Sequence, residues 1–233
     1  MMNRVFLPMV AGSNGAKPAF GIAHFGPHQQ QHDLMAAGYP LCDWYAYPCC
    51  MEYRLYMPYL RRYDYVVPLE RIKPLAEQYP GRTWCLWNEP DMPTQDRTPP
   101  AEAVEYTRIW RELIGDNGRI AGYGINMQPA YDGGLRWLEG YLDAGGELPD
   151  VWHMHIYAND AAQWRDLYLQ WQEWNAKHGN LPTIISEAGG NLTESPTSHG
   201  WLSIYHYLRQ WTDERVEAVY WYTDKPADYG IVC

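Results

Sequence analysis

The chain has 233 residues and a formal net charge of −10 at neutral pH, enough for one large core, with no composition break that would divide it in two. No apolar run is long enough to span a bilayer and no basic patch is interleaved with aromatics, so neither a membrane nor nucleic acid is an expected partner. The 5 cysteines, with Cys49 and Cys50 adjacent, form no disulfide framework or Cys-x-x-Cys motif. Cys85 reads as a small core residue, and Cys42 would pair with Cys49 or Cys50 only in an oxidising compartment.

Residues 1–17 read as a tail or lead-in without a complete signal peptide, and 18–233 as a single domain. A first strand is predicted over 18–25, a short helix over 32–37 closed by Gly38, and a second strand over 41–47 ended by Pro48. The third strand is expected at 53–57, with 63–67 of similar composition as the alternative; the first choice leaves almost no room for a second helix. A helix over 69–79 then leads into an apolar fourth strand that stops at Asn88-Glu89-Pro90-Asp91. The clearest helix spans 99–114, where Pro100 suits the first turn and Val104, Ile109, Leu113 and Ile114 can share a face.

A glycine-rich fifth strand follows at 119–126, a helix within 134–144, a sixth strand at 150–157 and a long amphipathic helix over 161–178. The seventh strand runs over 182–187, a helix over 201–212 and the eighth strand over 216–222. Eight strands alternating with helices predict an α/β fold, a compact (β/α)8 TIM barrel with short or missing second and eighth helices. An open doubly wound sheet also alternates β and α, but the glycine-rich phosphate fingerprint of its nucleotide-binding version is missing.

The chemistry is expected at two strand ends. Glu89 closes the fourth strand and Glu187 closes the β-branched run at 183–187, so in a parallel barrel both project into one mouth. A carboxylate pair flanking a bond to an anomeric carbon is what glycoside hydrolysis needs. The alternative for Glu89 is that it accepts amides at the start of the next helix, where Asp91 and Thr94 also offer caps. His153, His155 and Tyr157 alternate along one side of the sixth strand, and His155 or Tyr157 is placed to orient Glu187. A buried structural histidine is the competing reading, above all for His153, and a metal-dependent hydrolase built on His153-x-His155 with His24 is a further one. The chain has 12 Trp and 20 Tyr against 3 Phe; rings with a polar tip suit a sugar, although most are expected simply to fill the core and its helical shell.

Asn88-Glu89-Pro90 on a fourth strand, an aromatic ending a sixth, Glu187 on a seventh and Trp221 on an eighth make the chain resemble the retaining (β/α)8 glycoside hydrolases of clan A. The Asn-Glu-Pro-Asp run, the Trp44-Tyr45 end of the second strand and the small size most resemble glycoside hydrolase family 128, which cleaves β-1,3-glucans. The resemblance spans about Phe20 to Thr223 and implies Glu89 as acid/base and Glu187 as nucleophile. Their carboxyls would lie about 5 Å apart, so that mutual repulsion keeps one of them protonated. It further implies Asn88 on the sugar 2-hydroxyl, Trp221 as the floor under the sugar at the cleavage point, and Trp44, Tyr45, Tyr47 and Asn126 in neighbouring subsites. No cofactor and no metal are expected; the partner is an oligo- or polysaccharide, the protein a monomer, and its native setting extracellular. The chain departs from the family in its short C-terminal end and in Ser186-Glu187-Ala188-Gly189, where an aromatic more often follows the glutamate, which bears on substrate more than on mechanism. A carbohydrate-binding barrel without turnover is the alternative from a different class.

Overall fold

The computed structural model describes residues 18–23, 41–43, 56–60, 68–128, 133–191 and 198–222. Eight parallel strands run in chain order: β1 (Ala19–Ala23), β2 (Leu41–Asp43), β3 (Tyr56–Leu60), β4 (Arg82–Asn88), β5 (Gly118–Asn126), β6 (Trp152–Ala158), β7 (Thr183–Gly190) and β8 (Val216–Tyr222). Each strand pairs with the next, and the sheet curls until β1 also pairs with β8, bringing Ile22 into register with Trp221. Helices α1 (Leu69–Gln78), α2 (Pro100–Ile114), α3 (Gly134–Asp143), α4 (Ala161–Lys177) and α5 (His199–Gln210) fill the connections after β3 to β7. Among the described residues no helix is long and apolar enough to cross a membrane.

Two apolar layers hold this arrangement. Small side chains meet inside the curled sheet, among them Ala23, Cys85, Ala121, Ile184 and Ala218. Cys85 is a free, buried cysteine there; the Cys42, Cys49 and Cys50 pairings lie outside what the structure describes. Between sheet and helices the filling is aromatic: Trp152 packs on Trp171 and Trp174, and Trp87 on Trp110 and Tyr123. Some of the Tyr and Trp rings also tie the helices to strands and loops through their polar tips. Tyr123 donates to the Ala103 carbonyl at 2.6 Å, Trp137 to the Thr98 carbonyl at 2.7 Å, and Trp171 to the Thr183 hydroxyl at 3.1 Å.

Helix α2 starts at Pro100, as its sequence predicts, and ends at Gly115, whose φ of 53° is a conformation that favours glycine. Its buried stripe is Ala103, Val104, Thr107, Trp110 and Ile114, so Ile109 and Leu113 lie at the margin of the expected face. Asp160 caps α4 by accepting from the Gln163 amide at 2.9 Å. Strand β3 is the main correction to the sequence reading: it occupies Tyr56–Leu60 rather than 53–57. Its centre is Pro58, a residue that lacks the ladder N–H and weakens the strand signal at that spot. The expected helix at 32–37, the ends of the first and second strands, the short second helix and the segment after β8 lie outside the described residues.

Candidate active site

Both glutamates reach the same place because their strands break the period of two. In β7, Met154 pairs with Ile185 and His155 with Glu187, so Ser186 is an extra residue opposite β6. That bulge lets Ser186 and Glu187, consecutive in sequence, both turn inward. In β4 the register with β5 shifts on either side of Leu86. Trp87 and Glu89 adopt φ of 30° and 48°, left-handed conformations that cost a non-glycine residue on the order of 1–3 kcal/mol. The twist sends Trp87 outward, its ring 5.0 Å from Tyr106 and 5.2 Å from Trp110, and leaves Asn88 in register with Gly124 on the inner face.

The loop after β4 locks this geometry. The Asn88 amide donates to Asp96 Oδ2 at 2.9 Å, the Asp96 amide returns to the Asn88 carbonyl at 3.1 Å, and Asn88 Nδ2 donates to Gln95 Oε1 at 3.0 Å. Asn88 Oδ1 is buried without a hydrogen-bond partner. Glu89 does not cap a helix, since α2 begins only at Pro100. Its backbone N–H donates to the Gly124 carbonyl at 2.7 Å, and its carboxylate turns to β5 and β6.

Glu89, His155 and Glu187 meet with one polar atom of each within 4.8 Å of the others. All three are buried, at 5%, 0% and 3% relative exposure. His155 Nδ1 lies 2.9 Å from Glu89 Oε1 and 3.5 Å from Glu187 Oε2. Asn126 Nδ2 donates to the same Glu89 Oε1 at 2.7 Å, while Tyr157 donates its hydroxyl to Glu187 Oε2 at 2.6 Å. Burial, first, and then the charges of Glu187 and Glu89 hold the Tyr157 phenol well above its ordinary range, so it stays a donor. Asp91, two residues after Glu89, is pushed up to about 7 by burial and by the Glu89 charge.

The sequence-expected residues separate into those that converge here and those that do not. Asn88, Glu89, Asn126, His155, Tyr157 and Glu187 converge, with Asn126 serving Glu89 directly rather than lining a more distant position. Trp221 does not: it is fully buried on the outer face of the sheet, its ring 5.5 Å from Trp201 and 5.3 Å from Tyr205 of α5. The side-chain period of two puts Tyr222 inward instead, where its ring is 5.9 Å from that of Tyr157. His153 is a structural histidine, with Nδ1 2.9 Å from Ser186 Oγ and Nε2 3.1 Å from the Leu86 carbonyl. With both nitrogens engaged it does not form the His153-x-His155 metal pair of the alternative hydrolase reading. Trp44, Tyr45, Tyr47 and His24 lie outside the described residues. Asp91, Gln95, Asp96 and Tyr222 are the site residues that sequence reasoning missed; the Asn-Glu-Pro-Asp run was the available signal for Asp91.

No curated protein matches the chain significantly. Solved structures do. A GH128 (subgroup III) curdlan-specific exo-β-1,3-glucanase from Blastomyces gilchristii, in complex with glucose, superposes with a TM-score of 0.65 at 16% identity, covering 88% of each chain. A GH128 (subgroup VI) exo-β-1,3-glucanase from Aureobasidium namibiae gives 0.64 at 17% identity, covering 89% of this chain and 84% of its own. A GH128 (subgroup I) endo-β-1,3-glucanase from Amycolatopsis mediterranei, in complex with laminaritriose, gives 0.60 at 18% identity over 87% of each chain. At such identities the likeness is one of fold. The family model for the glycosyl hydrolase catalytic core matches residues 69–231, well over half of the chain and every residue of the converging cluster, so the chain belongs to the glycosyl hydrolase catalytic core family.

Proposed function

We propose that the protein is a (β/α)8 β-glycosidase that hydrolyses a β-1,3-linked glucan with retention of configuration, Glu89 acting as acid/base and Glu187 as nucleophile. The observation that carries this reading is the approach of the two carboxylates to within 4.8 Å. Retaining sites hold their carboxyl groups about 5–5.5 Å apart, whereas inverting sites need roughly 6.5–9.5 Å to admit a water between carboxylate and sugar. The fold's likeness to β-1,3-glucanases, two of them in complex with glucose or laminaritriose, supports this choice of substrate. A polymeric glucan is also the reason to place the reaction outside the cell.

In the first step Glu187 attacks the anomeric carbon while Glu89 gives its proton to the departing glycosidic oxygen. The products are a glycosyl ester on Glu187 and a shortened glucan. In the second step Glu89, now ionised, takes a proton from water as the water's oxygen replaces Glu187 at the same carbon. The Tyr157 hydroxyl steadies the Glu187 oxygen it contacts, and Asn126 with His155 fixes Glu89 between the two steps. Asn88 Oδ1, buried with no partner, is the acceptor for the sugar 2-hydroxyl.

The test is the configuration of the first product. Nuclear magnetic resonance of a fresh digest of a β-1,3-gluco-oligosaccharide is expected to show the β-anomer first, with mutarotation to α afterwards. Immediate α-product would establish inversion. Binding with no product after long incubation would leave a carbohydrate-binding barrel, and Glu89→Gln and Glu187→Gln variants with full turnover would remove the assignment altogether.

A further inference from the structure

Asp91 sits behind the acid/base on the loop between β4 and α2. Both of its carboxylate oxygens lie 3.3 Å from the backbone nitrogen of Asn126, and the side-chain amide of that same Asn126 donates to Glu89 Oε1 at 2.7 Å. Asn126 is thus held by one carboxylate while it holds the other. On the far side stands Gly134, the first residue of α3; a Cβ there would come within 3.4 Å of Asp91 Oδ2, so the helix start approaches with no side chain between. We propose that Asp91 is a positioning residue for Glu89, fixing it through Asn126 and, as the second carboxyl of a pair that shares one proton, making Glu89 keep its catalytic proton to higher pH.

The proposal rests on the acid/base role assigned to Glu89. The groups facing Asp91 are Glu89 from its own loop, the Asn126 amide from β5 and the first turn of α3; Glu89 in turn faces His155 on β6 and, past it, Glu187 on β7. Burial and the Glu89 charge raise the Asp91 carboxyl to about 7, and the backbone amides of Asp91 and Asn126 oppose this less strongly. Two carboxyls coupled in this way titrate as a pair, and the pair retains one proton through the weakly acidic range. Neutralising Asp91 removes the repulsion, favours ionised Glu89 and lets its proton go at lower pH.

The experiment compares pH profiles of kcat/KM on two substrates: a β-1,3-gluco-oligosaccharide, whose leaving group needs the acid, and its 2,4-dinitrophenyl glycoside, whose leaving group does not. Asp91→Asn keeps the acceptor oxygen and the size, and is expected to move the basic limb on the oligosaccharide down by about one pH unit. The dinitrophenyl glycoside is expected to change by no more than about twofold, because its glycosyl transfer bypasses the missing proton. Asp91→Glu should restore the limb. An unmoved limb, or equal losses on both substrates, would reduce Asp91 to a purely structural residue. If thermal melting shows that Asp91→Asn does not fold, a carboxyl 13C titration of the wild-type protein decides: Glu89 and Asp91 must share an inflection, and two independent single-step curves overturn the coupling. A Glu89→Gln variant that still cleaves the oligosaccharide would instead bring down the acid/base reading, and this proposal with it.

Discussion

His155 Nδ1 lies 2.9 Å from Glu89 Oε1 in a fully buried position. With Glu187 Oε2 only 3.5 Å from the same nitrogen, one imidazole nitrogen faces both carboxylates. Replacing His155 by Phe keeps the ring volume and removes that nitrogen. Turnover of a β-1,3-glucan is expected to fall about 10²-fold, the scale of a misplaced catalytic group. Steady-state kinetics on a correctly folded variant check this, and a loss below about threefold would show that Asn126 and Tyr157 suffice to hold the pair.

Tyr157 gives a second prediction, with a definite sign. Its hydroxyl stabilises ionised Glu187 over 2.6 Å, and the phenol stays protonated throughout any working range because burial and the two glutamates hold it well above its ordinary value. Tyr157→Phe withdraws a donor from the charged form of Glu187, so that carboxyl takes up its proton at higher pH. The acid limb of kcat/KM should move up by about one unit while kcat falls about tenfold or more. A pH profile with its acid limb unmoved would show that Tyr157 does not act on the nucleophile.

Why the cluster was legible and Trp221 was not comes down to the period of two. Strand ends, apolar runs and the two carboxylates can be read from residue types, and His153, His155 and Tyr157 do alternate onto one face. Bulges are invisible in that pattern. Strict alternation from the inward Ile184 would turn Ser186 in and Glu187 out to the helices, and only the bulge at Ser186 lets both face the interior. On β8 no such shift intervenes between Ala218, Tyr220 and Tyr222, so Trp221 falls outward against α5. The β3 assignment failed for a local reason, Pro58 at the centre of a strand.

The bulge itself can be tested by deletion. Removing Ser186 leaves Glu187 directly after the outward Ile185, so simple alternation should keep Glu187 inward and still opposite His155. Turnover is expected to stay within about tenfold of wild type, while His153 loses its Ser186 partner. Ser186→Ala separates the effects: it removes the hydroxyl but keeps the extra residue, so turnover should stay within about tenfold of wild type while stability falls by about 1 kcal/mol for the lost buried hydrogen bond. A deletion variant as inactive as Glu187→Ala, beside an active Ser186→Ala, would mean that the extra residue itself is needed to aim Glu187.

Gly124 is required by the two histidines. A Cβ at this position would lie 2.6 Å from Cε1 of His153 and 3.0 Å from Nε2 of His155, both of them fixed by hydrogen bonds on β6. Gly124→Ala is therefore expected to lower stability by about 1–3 kcal/mol, as overpacking of a full interior does. The displaced His155 should also reduce turnover. Urea denaturation and kinetics on one preparation test both, and an alanine variant as stable and active as wild type would show that the strands separate easily at this point.

Asp91 makes a stability prediction independent of its effect on catalysis. A carboxyl raised from 3.8 to about 7 in the folded state binds its proton more tightly there than in the unfolded chain. Its contribution to stability is therefore fully present below about pH 3.8, declines as pH rises through the folded value near 7, and is a cost above it. Asp91→Asn has no proton to lose. The variant should match wild type near pH 4 and exceed it near pH 8, by on the order of 4 kcal/mol at most, since each tenfold change in proton affinity is worth about 1.4 kcal/mol. Unfolding free energies at the two pH values measure the difference. A gap that does not widen with pH would mean that the buried Asp91 ionises as freely as it does in water, and that the chain keeps this carboxylate beside Glu89 at no cost in stability.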